Sequence, residues 1–111
     1  MSWHFFTIKE LEQQRAESGL RYLEFLREPN ISSGVYVLPA GASDEQKPHH
    51  EDEIYYVLRG RAHMKVGIGG AAEDHPVGPG SVIFVEARAE HRFHSIEEEL
   101  VVLVFFGPEE K

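Results

Sequence analysis

The chain has 111 residues and a formal charge of -8, from 11 basic and 19 acidic side chains, so nonspecific attraction to nucleic acid or to an anionic membrane face is not expected. It has no cysteine, which excludes disulfides, thiolate metal sites and cysteine nucleophiles and leaves any metal to nitrogen and oxygen ligands. The length suits one domain, residues 1–111, and without a long apolar run the expected location is cytoplasmic.

Thr7-Ile8-Lys9-Glu10 has the pattern of a helix capping box, residues 11–18 are good helix formers, and Gly19 suits the left-handed position that closes a helix. One helix over residues 8–18 is predicted, packing on a sheet. From Leu20 the segments become short, aromatic and β-branched. They predict strands at 20–26, 34–38, 53–58, 61–67, 81–85, 91–96 and 100–106. Pro29-Asn30, Gly69-Gly70, Gly78-Pro79-Gly80 and residues 86–90 supply turns, and 39–48 is a polar loop with breakers at both ends. Gly67-Ile68-Gly69-Gly70 has no following helix, so it reads as a hairpin rather than a phosphate-cradling loop. One helix followed by many short strands predicts an all-β antiparallel sandwich or barrel over about 20–107.

Two strands lack a polar face. In residues 53–58, Tyr55 and Val57 alternate with Ile54, Tyr56 and Leu58, and Leu100–Phe106 is apolar throughout. Both sides of such strands need cover, from the N-terminal helix, from a partner chain, or from both. A homodimer is the expectation.

His49-His50-Glu51-Asp52-Glu53 concentrates the chain's metal-binding chemistry. On a straight strand His49 and Glu53 would lie roughly 13 Å apart, too far to share one ion, so the chain must turn between them. Glu51-Asp52 is the natural turn. The third ligand must come from elsewhere, and His91, after the glycine turn and strand at 78–85, is the best candidate.

Pro39-Ala40-Gly41, His49, Glu53, Tyr56-Val57-Leu58 and Gly60, followed by Val77-Gly78-Pro79-Gly80 and His91, resemble the two sequence motifs of the cupin superfamily. The resemblance runs from about Gly34 to Phe106. With Glu53 and Gly60 aligned, the second histidine of the first motif falls on His49 and the first on Lys47. In the second motif Gly80 and His91 keep their places, while its proline, glycine and asparagine fall on Glu86, Arg88 and Ser95. The resemblance implies an antiparallel jelly-roll β-barrel with a divalent metal (zinc, iron or manganese) in its mouth, held by His49, Glu53 and His91. Lys47 is a poor replacement for the lost histidine because its amine stays protonated, and Glu51 or water is the candidate to complete the shell.

Such a site fits metal-assisted oxygenase, isomerase, lyase or decarboxylase chemistry on a small organic molecule, with Gln46, Lys47 or Arg88 meeting an anionic group. The rival is a noncatalytic small-ligand or sensor module with a degenerate site. Tyr55, Met64, Phe84 and Phe93 are candidates to line an apolar pocket, and Tyr36 or Tyr55 to lend a phenol, although core roles suit them all. The remaining histidines read as peripheral: His50 at the surface, His63 with Arg61 and Lys65 on a solvated strand face, His94 opposite in parity to His91, His4 at the terminus and His75 in a loop.

Overall fold

The computed structural model describes residues 1–108. Helix α1 (Ile8–Ser18) precedes eight strands: β1 (Tyr22–Glu28), β2 (Ile31–Leu38), β3 (Glu53–Arg59), β4 (Ala62–Val66), β5 (Glu73–Val77), β6 (Val82–Val85), β7 (His91–His94) and β8 (Leu100–Phe106). The Thr7 hydroxyl accepts from the Glu10 N–H at 3.2 Å, and Gly19 closes the helix in the left-handed region at φ 73°.

All pairings are antiparallel. They form a five-stranded sheet ordered β1-β2-β8-β3-β6 and a three-stranded sheet ordered β5-β4-β7. The sheets pack face to face as a jelly roll, without a ladder that closes them into one continuous barrel. Between them lie Leu38, Tyr55, Val57, Met64, Val85, Phe93, Leu100, Val102 and Val104.

The uniformly apolar β8 takes the central position of the larger sheet, which explains its composition. Leu100, Val102 and Val104 face the inter-sheet core, whereas Val101 and Leu103 join Val35 and Val37 beneath Leu11 of α1. Burying Leu11, which is 3% exposed, contributes about 1.5–3 kcal/mol. An ion pair between Arg59 of β3 and Glu12 also ties the helix to the sheet. The helix therefore covers part of the outer face. Ile54 and Tyr56 of β3, opposite Phe84 and Val82 of β6, remain 42%, 40%, 61% and 68% exposed.

Two glycines are required by close approach. Gly60 has φ 96°, and a Cβ there would stand 2.3 Å from the Glu99 carbonyl oxygen. At Gly34 a Cβ would meet the Tyr22 ring at 2.3 Å, so this glycine makes room for that ring on the inner face.

The sequence reading differs from the structure by two residues or more in four strands. β1 spans Tyr22–Glu28 rather than 20–26, because its pairing with β2 runs from Tyr22 opposite Tyr36 to Glu28 opposite Ile31. β5 was expected as loop because Glu73-Asp74-His75-Pro76 has no apolar alternation; it is an edge strand whose first four residues are exposed, and an edge tolerates the proline that cannot donate to a ladder. β2 begins at Ile31 rather than 34, because Glu28 and Ile31 pair directly across the Pro29-Asn30 turn. β7 ends at His94 rather than 96, because Ser95 turns into the left-handed region at φ 49°.

Candidate metal centre

Glu53 opens β3 in the larger sheet and His91 opens β7 in the smaller one, so the two sheets carry these side chains toward each other. His91 Nε2 stands 2.7 Å from Glu53 Oε1, and both side chains are only 1% exposed. His49 arrives on the loop before β3, its ring packed edge-on against Phe106 at 5.1 Å and centred 6.1 Å from His91. The loop is held bent by the Arg88 N–H donating to the His49 carbonyl at 2.6 Å and by the Ala87 N–H donating to Asp52 Oδ1 at 2.8 Å. One ligand atom from each of His49, Glu53 and His91 falls within 4.8 Å of the others.

A chain of polar contacts stands behind them. His91 Nδ1 lies 2.9 Å from the Ala89 carbonyl oxygen, which favours the proton on Nδ1 and leaves Nε2 to face Glu53. Tyr55 Oη lies 3.0 Å from His91 Nε2 and donates to Gln46 Oε1 at 2.9 Å. Gln46 Nε2 then donates to Asp44 Oδ2 at 2.7 Å. Buried Asp44 also accepts from the Tyr36 hydroxyl at 2.7 Å and from the Phe93 N–H at 2.9 Å.

Burial alone would depress the pKa of His91, yet the hydrogen bonds to Glu53 and Ala89 and the charges of Glu53 and Asp44 raise it above the ordinary imidazole value. Burial, reinforced by the Glu53 charge, raises the Tyr55 phenol far above its usual value, so it remains a neutral donor. Burial and the hydrogen bond to Asp44 do the same to Tyr36.

The donor set fits a cation. Glu53 Oε2 is buried without a hydrogen-bond partner among the described residues, and an unsatisfied carboxylate oxygen is costly unless a positive group meets it. Two imidazoles and a carboxylate suit first-row divalent metals and leave coordination positions open.

Other expected site residues sit elsewhere. Glu51 lines a surface groove with Arg27 and Glu28 and is not in the cluster, because the bend that brings His49 to Glu53 turns Glu51 outward. Lys47 is exposed and outside the ligand cluster, in a groove with Lys65 and Arg92 that also reaches Gln46 and His91. Arg88 is exposed with φ 68°, outside the ligand cluster, and its backbone N–H holds the loop that carries His49. Phe84 lies on the outer face of the larger sheet, away from the cluster, because it shares the parity of Ile54. Met64 and Phe93 are core residues. His75 lies in β5, and half-buried His63 meets Asp74 and His94 rather than solvent alone. Asp44 was missed: a lone aspartate in a polar loop gives no sequence signal for a buried hub.

Beside the cluster is a cavity of about 210 Å³, walled by Tyr22, Tyr36, Gln46, His49, Tyr55, Val104 and Phe106. Its wall is largely apolar, and Tyr55 and Gln46 place polar atoms along it.

Residues 34–107 match the Cupin domain family. The chain belongs to the cupin family. An uncharacterized protein of Streptomyces coelicolor is 50% identical over 105 residues, covering 95% of this cupin and 96% of that protein. An RmlC-like cupin of Methanocaldococcus jannaschii with a double-stranded β-helix fold superposes with a TM-score of 0.69 at 15% identity, covering 79% of each chain. The Fe(II) form of HppE superposes with a TM-score of 0.65 at 20% identity over 77% of this cupin; the chain spans about half of that protein, 49%. These structural likenesses establish the jelly roll shared by cupins. No helix among the described residues is long and apolar enough to cross a membrane.

Proposed function

We propose that this cupin holds one divalent first-row metal through His49, Glu53 and His91 and acts on a small organic molecule seated in the adjoining cavity. The observation that carries the reading is the buried, unpartnered Glu53 Oε2 beside two imidazoles. The Fe(II) in HppE is consistent with iron as one candidate, with zinc and manganese as the others. A cavity of about 210 Å³ is smaller than the roughly 300–1,000 Å³ usual for drug-sized ligands, so the substrate class is small molecules with an apolar body.

When bound, the metal would act as a Lewis acid on a substrate oxygen. The chain's own residues do the remainder. His49 and Tyr55 face the cavity, and the neutral Tyr55 hydroxyl, whose proton goes to Gln46 Oε1, offers its oxygen there as a hydrogen-bond acceptor instead of serving as a base. Phe106, Val104 and Tyr22 exclude water from the apolar side, which strengthens polar contacts made at the cluster. Gln46, fixed by Asp44 and Tyr55, keeps the phenol oriented.

The second reading, a noncatalytic small-ligand module, is favoured by the apolar wall and by Lys47 at the position of the family's first histidine. Metal analysis of untagged protein, before and after reconstitution with iron, zinc or manganese, separates the two. A loss of about one equivalent between the wild type and either His49→Ala or His91→Ala supports the metal reading, and the identity of the metal lost then directs substrate screening. Equal uptake of each of the three metals by the wild type and both variants sinks it and leaves the binding module.

We further infer that two copies associate through the outer face of β3 and β6. Ile54, Tyr56, Val82 and Phe84 form an exposed apolar patch beside the edge strand β6, where α1 does not reach.

A further inference from the structure

A second group of ligand-type side chains lies on the opposite face of the smaller sheet. His63 of β4 pairs directly with His94 of β7, and Asp74 of β5 lies two residues from Pro76, the other partner of His63. One residue from each of the three strands therefore meets on a single face. His94 Nε2 is 2.9 and 2.8 Å from the two Asp74 carboxylate oxygens, and His63 Nδ1 is 3.7 Å from Asp74 Oδ1. The imidazole centroids are 5.4 Å apart, and the three ligand atoms fall within 4.8 Å of one another.

We propose that His63, Asp74 and His94 form a second divalent-metal site, selective for zinc or a similarly borderline cation, that clips β5 to the rest of the smaller sheet. Three features carry this. First, the ligands are preassembled by strand register rather than by loops, so little chain must be ordered on binding. Second, His94 Nδ1 lies 3.0 Å from the Ser95 hydroxyl, an outer-shell partner of the kind that holds a ligating histidine in one tautomer with Nε2 free to bind. Third, β5 needs an anchor. Four of its five residues are exposed and only Val77 is buried, so its attachment rests on one ladder to β4 and one apolar side chain.

Two imidazoles with one carboxylate select against magnesium and calcium, which prefer all-oxygen shells. Lys65 pairs with both Asp74 and Arg92 in the register, so two cationic side chains neighbour the site and temper its affinity. His63, Asp74 and His94 are 38%, 46% and 29% exposed, so the ion can enter from solvent and a water can fill the remaining position. The site is distinct from the first: β7 carries His91 toward the core and His94 outward.

The test is a zinc titration by calorimetry on metal-stripped protein, with backbone amide exchange followed in β5. A His49→Ala/His91→Ala variant, which lacks the first site, should still take up about one equivalent of zinc, and its β5 amides should exchange more slowly with zinc bound. Adding His63→Gln and His94→Gln should abolish both effects; unchanged metal-free melting shows that this variant folds. Zinc uptake that survives those two substitutions, or uptake without slower exchange in β5, overturns the proposal. So does a first-site variant that binds no zinc, whatever the first site does in the wild type.

Discussion

His91 Nε2 and Glu53 Oε1 meet at 2.7 Å across the gap between the two sheets, each side chain withdrawn from solvent. The pair is both a link between the sheets and two-thirds of the candidate ligand set. Glu53→Gln keeps the shape while removing the charge. It should weaken metal binding by more than the roughly 10–100-fold typical of outer-shell losses, measured by competition with a chromogenic chelator.

The same pair makes the metal-free protein sensitive to pH. The His91 pKa is raised in the folded state, so its stabilising contribution is complete below the unfolded value of about 6.5 and is lost as pH rises through the folded value. Thermal melts of chelator-treated wild type should show this loss, and those of His91→Asn should lack it. Metal uptake should run the opposite way, strengthening as pH rises, because a ligating imidazole must be neutral.

Asp44 joins the backbone of β7, the Tyr36 phenol of β2 and Gln46 of the loop. Asp44→Ala leaves the buried Phe93 N–H and the half-buried Tyr36 hydroxyl without their acceptor and should cost about 1–3 kcal/mol in urea unfolding. It should also lower metal affinity, through Gln46 and Tyr55.

Arg88 adopts φ 68° at the position where the family motif carries glycine. The left-handed region costs an L-residue with a Cβ roughly 1–2 kcal/mol, partly offset by the entropy that glycine loses on folding. Arg88→Gly removes that backbone cost together with the side chain's own interactions, and metal uptake should stay intact in a chelator competition because the His49 loop is held through the residue 88 N–H.

Phe84 is the most protruding aromatic of the β3–β6 patch, 61% exposed. Phe84→Lys should convert a dimer to a monomer in sedimentation velocity without altering the melting of the monomer. Wild-type protein that sediments as a monomer at high concentration would remove this association.

Much of this was legible in the chain. Thr7 and Gly19 bracket the helix through local chemistry, and the two-sided apolar runs at 53–58 and 100–106 imply layers on both faces, which α1 supplies in part. The spacing of His49 and Glu53 required a bend, and the loop is bent. β5 was not legible, because an exposed edge strand carries no alternation, and neither was Asp44, whose role depends on partners 8 and 49 residues away. The grouping of His63, Asp74 and His94 was hidden for the same reason: their meeting depends on the register of a strand that has no sequence signature.

The loop that carries His49 is moored near its start by Asp44 and at its end by Asp52, whose carbonyl accepts from the Gly107 N–H at 2.9 Å and whose side chain accepts from Ala87. Between those moorings Gln46 and His49 are tied as well, to Asp44 and Tyr55 and to the Arg88 N–H. A ligand-bearing loop fastened at four points carries its imidazole in one fixed frame with both sheets, so whatever enters the cavity meets a site already assembled.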